Sequence, residues 1–183
     1  MRIVAGQYRG KKLFTPEGKD VRPTSERARE AVFNILNSRW GSDYSFIHLA
    51  DIFAGTGAFG LEALSRGAAS VTLVDKDTAL ALKNAKMFVK EQNKIKVVRA
   101  DALNLPKSQT KFNVVFMDAP YAKGLTEEVL KQLIAKEWLS ENFLCIVEIR
   151  CDEHIDIPKE YEVVDEREYG LAKILFLESK NVK

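Results

Sequence analysis

The 183-residue sequence contains only two cysteines and two histidines, and it lacks long apolar runs. Cys145 lies inside a short apolar segment and Cys151 just beyond it, without the spacing of metal ligands, so we expect neither a disulfide nor a metal site. The apolar runs are shorter than the roughly 20 residues of a membrane-spanning helix. The N-terminus lacks the apolar core of a signal peptide. We therefore expect a cytoplasmic protein with no membrane contact.

The sequence also lacks a large excess of charge of either sign, because 28 basic and 26 acidic side chains give a formal net charge of only +2. This argues against a uniformly basic protein, but the charges are unevenly distributed. Residues 1–40 contain nine basic and four acidic side chains, a balance of +5, which leaves −3 for the remainder. A basic segment attached to a mildly acidic body predicts a local contact with a polyanion near the N-terminus. Surface charge that contacts only solvent is the alternative.

Strand-like and helical patterns alternate through most of the chain. Strands are predicted at residues 47–53, 70–74, 95–99, 112–117, 143–149, 161–164 and 173–177. Nearly continuous apolar strands separated by helices predict one α/β domain, with a mostly parallel sheet covered by helices on both faces. Only the Tyr169-Gly170 turn separates the last two strands, so these two should pair antiparallel.

Helices are predicted to begin at Thr24, to span residues 59–66 and 78–92, and to begin again with Thr126 as the N-cap. The first helix has an apolar stripe made by Ala28, Val32, Ile35 and Leu36. Arg22, Arg27 and Arg29 are placed off this stripe, where they are available to an external anion. Residues 1–20 show two short extended patterns separated by glycines, which predict a small N-terminal β-hairpin, or arm, beside a main domain of residues 21–183.

A glycine-rich turn follows the first predicted strand and precedes a helix. Gly55, Gly57 and Gly60 have a spacing typical of nucleotide-binding turns, because a residue without Cβ allows a sharp bend and a close approach to a ligand. In a sheet of this kind, ligands bind at the carboxyl ends of the strands. Four aspartates are predicted at those ends, namely Asp51, Asp75, Asp101 and Asp118.

Two of these aspartates indicate which adenosine-containing ligand the turn binds. Asp75 ends the second strand, where its carboxylate can accept hydrogen bonds from both ribose hydroxyls of NAD or of S-adenosylmethionine. Asp51 would repel the pyrophosphate of NAD but suits the ammonium and sulfonium groups of S-adenosylmethionine, so we favour the methyl donor. Asp101 is placed to bond the adenine amino group, with a structural role in a turn as the alternative. Asp77 is predicted to cap the helix that follows it.

The fourth strand ends in Asp118-Ala119-Pro120-Tyr121, which has the groups needed to hold an aromatic amine. Such an amine is a poor nucleophile, because its lone pair is delocalised into the ring, so a site must hold it by its hydrogens in line with the methyl group. Asp118 and the Ala119 carbonyl can each accept one hydrogen bond. Pro120 restricts Ala119 to extended geometry, and a base can stack on Tyr121. A loop without a chemical role is the alternative.

Three segments carry a resemblance to a known family. Residues 22–36 begin Arg-Pro-Thr-Ser-Glu-Arg, residues 51–68 begin Asp-Ile-Phe-Ala-Gly-Thr-Gly, and residues 118–121 form the tetrapeptide above. Together they resemble the RsmD family of bacterial 16S ribosomal RNA guanine-N2 methyltransferases. The likeness extends from residues 2–6 to the Tyr169-Gly170 turn, and the arginine-containing helix is its most specific part.

The resemblance implies a Rossmann-like class I methyltransferase fold, with a seven-stranded, mostly parallel sheet whose last strand is antiparallel. It also implies a monomer that uses S-adenosylmethionine and methylates one guanine of 16S rRNA, within an assembled or assembling small ribosomal subunit. The catalytic residues would be Asp118, Ala119, Pro120 and Tyr121. The donor would be bound by Asp51, Phe53, Ala54, Gly55, Thr56, Gly57, Gly60, Asp75, Lys76, Asp101, Ala102 and Asp118. RNA would be bound by Arg2, Arg9, Lys11, Arg22, Arg27 and Arg29.

The chain departs from the family pattern in two places. Ala119 stands where the family tetrapeptide usually has proline, and activity should survive because a backbone carbonyl is the group required. Leu171-Ala172 is more apolar than expected for the family, so RNA contact there is not assigned. Three alternatives stay open: a methyltransferase for adenine N6 in DNA or for a protein glutamine, a non-catalytic RNA-binding or assembly factor on the same fold, and an oxidoreductase that uses NAD.

Overall fold

The computed structural model describes residues 1–16, 23–120 and 124–180, with side chains from residue 26 onward in the first helix. The predictions for Arg22 and Tyr121 therefore lie outside the described residues. The helices are α1 (Pro23–Trp40), α2 (Ala58–Ser65), α3 (Ala79–Ala85) and α4 (Leu125–Ala135), with 3₁₀ turns at Val89–Lys94 and Ala102–Asn104. The strands are β1 (His48–Ile52), β2 (Ser70–Asp75), β3 (Ile95–Arg99), β4 (Phe112–Asp118), β5 (Leu139–Arg150), β6 (Tyr161–Tyr169) and β7 (Ala172–Ser179).

The strands form one seven-stranded sheet in the order β3-β2-β1-β4-β5-β7-β6. Strands β1 to β5 run parallel, and β7 pairs antiparallel with both β5 and β6. The predicted fold class and the antiparallel pairing of the last two strands are thus confirmed. The order reverses between β1 and β4, which places the carboxyl ends of these two neighbouring strands at the point where such sheets bind ligands.

Helices cover both faces of the sheet. Since successive side chains of a strand point to opposite faces, each strand contributes to two cores. In β4, Val114 and Phe116 join the core beneath α1 and α2, whereas Val115 and Met117 join the core beneath α4. Both layers are apolar, as expected for parallel strands that are buried on two sides. Cys145 is buried in the second core, and neither cysteine forms a disulfide. Within the described residues, no helix combines the length and the apolarity that crossing a membrane requires.

The predicted continuous helix over residues 78–92 is wrong. Helix α3 ends at Ala85, and a separate 3₁₀ turn follows at Val89–Lys94. The interruption occurs at Phe88, whose backbone leaves the helical region (φ −99°, ψ 59°) and whose ring is fully buried, 4.7 Å from the Tyr8 ring. The Gln92 side chain donates to the carbonyls of Ala85 and Phe88, so the end of α3 is satisfied without further helix.

Two details of the other helices also differ from prediction. Thr126 is not the N-cap of α4, because that position belongs to Gly124 in a left-handed conformation (φ 77°), while Thr126 is buried inside the helix. On α1, Phe33 rather than Ile35 completes the buried face. The predicted cap of the helix after residue 77 is nearly correct, since Asp77 accepts the Ala79 N–H at 3.0 Å while Thr78 occupies the cap position.

The described part of the N-terminal arm, residues 1–16, packs on the domain. Arg2 and Lys12 pair antiparallel, and Ile3 and Leu13 are buried in the same core as α1 and α2. Gly6 must be glycine, since an added Cβ would lie 1.9 Å from the carbonyl oxygen of Ser65. The arm is therefore fixed closely against the end of α2.

Candidate active site

Two cavities meet at the carboxyl ends of the parallel strands. The first, of about 270 Å³, is lined by residues that include Asp75, Asp101 and Asp118. The second, of about 110 Å³, includes Asp51 and Asp118. Phe53 and Asp118 line both cavities. The four strand-end aspartates predicted from the sequence therefore all line this composite site, and Asp118 lies where its two parts join.

The glycine-rich turn is held by the carboxylates on either side of it. Gly55 N–H donates to Asp75 Oδ2 at 2.8 Å, and Gly60 N–H donates to Asp51 Oδ2 at 2.9 Å. A Cβ on Gly57 or Gly60 would lie 2.7 or 2.4 Å from methyl carbons of Leu73, so these glycines let the turn pack directly on β2. The turn is thus rigid, and the strand-end carboxylates fix its position.

Phe53 separates the two cavities in an unusual backbone conformation. Its φ of 63° lies in the left-handed region, which an aromatic residue rarely occupies. The neighbouring Ala54 N–H donates to the Val74 carbonyl at 3.0 Å, which anchors the chain immediately after this bend. Strained residues of this kind occur at ligand sites, where the surrounding structure maintains them.

The electrostatics of the smaller cavity suit a cationic ligand. Asp51 is only 2% exposed, and burial raises the pKa of its carboxyl to about 7, aided by the nearby charges of Asp118 and Asp75 and opposed by the Gly60 N–H and Arg29. Glu148 adds a further carboxylate to the lining. A sulfonium or ammonium group placed here would compensate buried negative charge, whereas a pyrophosphate would increase the repulsion. The chain's own residues therefore fit S-adenosylmethionine.

Asp101 has the turn-forming role that the sequence left open. Its Oδ1 accepts the Leu103 N–H at 3.0 Å, and its Oδ2 lies 3.1 Å from Lys76 Nζ. The Leu103 N–H and then Lys76 lower the pKa of this carboxyl, so it stays ionised. Asp101 and Ala102 line the larger cavity together with Lys76. Contact of either residue with adenine stays a prediction.

The tetrapeptide that the sequence predicts as the acceptor site begins with Asp118, at the junction of the cavities. Asp118 is exposed at the end of β4, Ala119 is buried, and Pro120 lines the larger cavity. Glu148 at the end of β5 pairs in register with Asp118, so two carboxylates stand side by side on neighbouring strands. Glu148 was not predicted as a site residue, although its position one residue before Ile149, near the end of a predicted strand, was a usable signal.

The predicted phosphate-binding residues fall into two groups. Arg2, Arg9 and Arg27 are exposed, as an RNA contact requires. Arg29 is wrong as a surface phosphate ligand, because it is only 5% exposed and lines the smaller cavity. Lys11 is also a poor candidate, since its Nζ donates to the Met87 carbonyl at 3.2 Å and lies 5.5 Å from the Tyr8 ring centroid.

Two larger cavities lie elsewhere. One, of about 360 Å³, is lined by Trp40, Phe46 and Asn113 at the amino ends of the parallel strands. The other, of about 520 Å³, lies between the outer face of α1 and β6. Neither includes the glycine-rich turn or any of the four strand-end aspartates, so volume alone does not identify the active site here.

A family model described as "Conserved hypothetical protein 95" matches residues 1–178. The chain belongs to this family. Ribosomal RNA small subunit methyltransferase D of Escherichia coli (strain K12) is 39% identical over 150 residues, which are 81% of this chain and 74% of that protein. The protein of the same name from Haemophilus influenzae is 33% identical over 181 residues, 94% of this chain and 90% of that one. The resemblance to the RsmD family is confirmed.

Solved structures agree with this membership. The putative methyltransferase yhhF from Escherichia coli has a TM-score of 0.84 at 34% identity and covers 98% of both chains. The putative methylase HI0767 from Haemophilus influenzae has a TM-score of 0.77 at 30% identity and covers 97% of both. Family, fold and the charge of the cavities together make this family member an S-adenosylmethionine-dependent methyltransferase, and the predicted cofactor is confirmed.

Proposed function

We propose that this chain transfers the methyl group of S-adenosylmethionine to the exocyclic N2 of a guanine in 16S rRNA. The observation that carries the proposal is the position of Asp118, which lines both cavities and begins the tetrapeptide at the end of β4. A donor spread across the two cavities would have its sulfonium near this junction. An acceptor amine held by Asp118 would then face the methyl group.

The chain's part in the reaction is to hold the acceptor and receive its proton. S-adenosylmethionine supplies an electrophilic methyl group when bound. Asp118 accepts one hydrogen of the amine, and the Ala119 carbonyl, fixed by burial of Ala119 and by Pro120, accepts the other. This draws the nitrogen lone pair into line for attack, and the proton leaves afterwards to Asp118 or to water. Tyr121 is the proposed stacking partner of the base.

Glu148 supports guanine over adenine as the acceptor. The Watson–Crick edge of guanine presents N1–H and N2–H donors next to each other, whereas adenine presents an N1 acceptor beside its amine. Glu148 lies in register with Asp118 and lines the same cavity. A second carboxylate beside Asp118 can accept the N1–H of guanine but would repel the N1 lone pair of adenine.

The RNA contact of the proposal rests on exposed basic residues of the arm and of α1. Arg2, Arg9 and Arg27 are exposed at or beside the arm, and Arg22 belongs to the same proposed surface. The names of the relatives place ribosomal RNA of the small subunit as their substrate. We extend this to the present chain, as a monomer acting in the cytoplasm on an assembled or assembling small subunit, with residues 1–20 as the RNA-contacting arm.

Labelled methyl transfer to small subunits that lack the modification tests the proposal. We expect label in 16S rRNA, recovered as N2-methylguanosine after digestion to nucleosides. Asp118→Ala should lower the rate at saturating donor by about 100-fold or more, as expected for loss of a group that positions the acceptor. Asp43→Ala is the matched control, because Asp43 is an exposed aspartate in the loop before β1, on the side of the amino ends of the parallel strands and away from the site.

Three results would contradict the proposal. Label recovered as N6-methyladenosine would identify an adenine methyltransferase instead. Donor binding without transfer to any form of the subunit would favour a non-catalytic assembly factor. Asp118→Ala with most of the wild-type rate at saturating donor would show that the roles assigned to the tetrapeptide are wrong.

A further inference from the structure

A single arginine interrupts the acidic lining of the smaller cavity. The carboxylates of Asp51, Asp118 and Glu148 line this cavity, and Arg29 is the cationic side chain among the described residues around it. S-adenosylmethionine has two positive groups near its sulfur, the sulfonium and the ammonium, but it also carries a carboxylate. The carboxylates of Asp51 and Asp118 suit the positive groups, and the ligand carboxylate needs a cation of its own.

Arg29 is buried without full compensation. Its side chain is 5% exposed, its Nη2 donates to the Arg2 carbonyl at 2.6 Å, and its Nε finds no hydrogen-bond acceptor among the described residues. The nearest carboxylate contact, Glu62 Oε2 at 3.8 Å from Nε, is beyond hydrogen-bonding distance. A guanidinium has five N–H donors in a planar fork, and leaving such a group buried and underused is costly.

Glu62 forms an ion pair with Arg29 at 3.8 Å but does not accept a hydrogen bond from it, and other donors lie closer to the Glu62 carboxylate. Its Oε2 accepts the Val4 N–H at 2.7 Å, and its Oε1 accepts the Ala5 N–H at 2.9 Å and Arg66 Nε at 3.0 Å. Glu62 and Arg66 therefore form a compact ion pair that anchors the arm. Arg29 contacts this pair and the arm, where its Nη2 donates to the Arg2 carbonyl, and it also lines the smaller cavity.

The sizes of the cavities indicate which part of the donor reaches Arg29. The cavity of about 270 Å³ contains Asp75, the predicted ribose ligand, and Asp101. The cavity of about 110 Å³ is far below the roughly 300 Å³ of a typical small-molecule pocket. It can take the short amino-acid end of the donor but not its adenosyl portion, and Phe53 and Asp118 mark the passage between the two.

We propose that the Arg29 guanidinium binds the carboxylate of the methionyl portion of S-adenosylmethionine. The proposal rests on the donor assigned above but not on the acceptor base. Such binding gives the buried Arg29 a charge-assisted hydrogen-bond partner. It also fixes the orientation of the donor, with its carboxylate at α1 and its positive groups near Asp51 and Asp118. A purely structural role, in which Arg29 only secures the Arg2 carbonyl of the arm, is the alternative.

Calorimetric binding of two ligands distinguishes these roles. The probes are S-adenosylmethionine and decarboxylated S-adenosylmethionine, which differ only in the carboxylate. We expect the wild-type protein to bind the carboxylated ligand about 10-fold to 100-fold more tightly, the effect of one hydrogen-bonded charge pair. Arg29→Met should bind both ligands with equal affinity and should bind the decarboxylated ligand about as tightly as the wild type does. Arg29→Lys should retain part of the preference.

Arg39→Met is the matched control, because Arg39 lies on the same helix near its other end and outside the smaller cavity; it should keep the wild-type preference. Equal wild-type affinities for the two ligands would overturn the proposal without any variant. A full preference retained in Arg29→Met, or an equal loss of both ligands with a lower melting temperature, would also overturn it and assign Arg29 to the arm alone. Failure of the wild type to bind either ligand would contradict the donor assignment itself.

Discussion

Asp51→Asn tests whether a buried carboxylate is retained for the donor although it weakens the fold. The asparagine oxygen can still accept the Gly60 N–H, now 2.9 Å from Asp51 Oδ2, and the side chain has nearly the same volume. The substitution therefore removes the charge with little change in packing. Since Asp51 is 2% exposed, its ionised form carries a desolvation cost that the asparagine lacks.

The size of the effect follows from the pKa of Asp51. Burial and the neighbouring carboxylates raise this pKa from 3.8 to about 7. Because the folded-state pKa lies above the unfolded value, the stability associated with the protonated form is complete below about pH 4, declines as the pH rises, and is lost above about pH 7. At about 1.4 kcal/mol for each tenfold change in the ionisation constant, the total is roughly 4 kcal/mol. Between pH 5 and pH 8 the stability of the wild type should decline by roughly 2 to 3 kcal/mol from this group.

Urea denaturation of both proteins at pH 5 and pH 8, without donor, measures this effect. We expect Asp51→Asn to be more stable than the wild type, with an advantage that is roughly 2 to 3 kcal/mol larger at pH 8 than at pH 5. Its affinity for S-adenosylmethionine at pH 8 should fall at least about 10-fold. An advantage that is the same at both pH values, or a variant less stable than the wild type at pH 8, would refute the reasoning.

Three other experiments test the packing around the site and its proposed RNA surface. Gly60→Ala should cost about 1 to 3 kcal/mol by urea denaturation, because its Cβ would lie 2.4 Å from Leu73 Cδ2; an unchanged midpoint would contradict this. Asn84→Ala should speed hydrogen exchange at residue 14, whose N–H it binds at 2.7 Å, while Asn34→Ala on the exposed face of α1 should not. Replacing Arg2, Arg9 and Arg27 with glutamine should flatten the logarithmic salt dependence of RNA binding by about 2, and an unchanged slope would remove them from the interface.

The strands and the strand-end aspartates were predictable because parallel strands buried on both faces leave continuous apolar runs in the sequence. The carboxyl end of such a run is also where the ligand lies, so Asp51, Asp75 and Asp118 could be placed without coordinates. The antiparallel pairing of β6 and β7 followed from the shortness of the Tyr169-Gly170 connection. Each of these inferences depends on local sequence and a topological rule, not on how distant side chains pack.

Two sequence predictions were wrong because a side chain is buried in an unexpected way, Arg29 on α1 and Phe88 after α3. Arg29 precedes Val32, Phe33 and Leu36 by three, four and seven positions, so helical spacing places it on the buried face. The sequence prediction placed Arg29 off the apolar stripe, because that stripe was drawn through Ala28 and Ile35 and did not include Phe33. Phe88 fits a helical stripe, yet it ends the helix because its ring packs under Tyr8. The contact partner in each case is distant in sequence, and local periodicity does not identify it.

Buried polar side chains connect the arm to the main domain and to the glycine-rich turn. Glu62 binds two N–H groups of the arm, and Asn84, which is fully buried, bonds both backbone groups of Phe14 and the carbonyl of Thr56 in the glycine-rich turn. Moving the arm would leave these buried groups unsatisfied, at about 1 to 3 kcal/mol for each. The arm therefore cannot shift freely relative to the donor site. An RNA held by the arm, as we propose, would have its target base positioned relative to Asp118 by the fold itself.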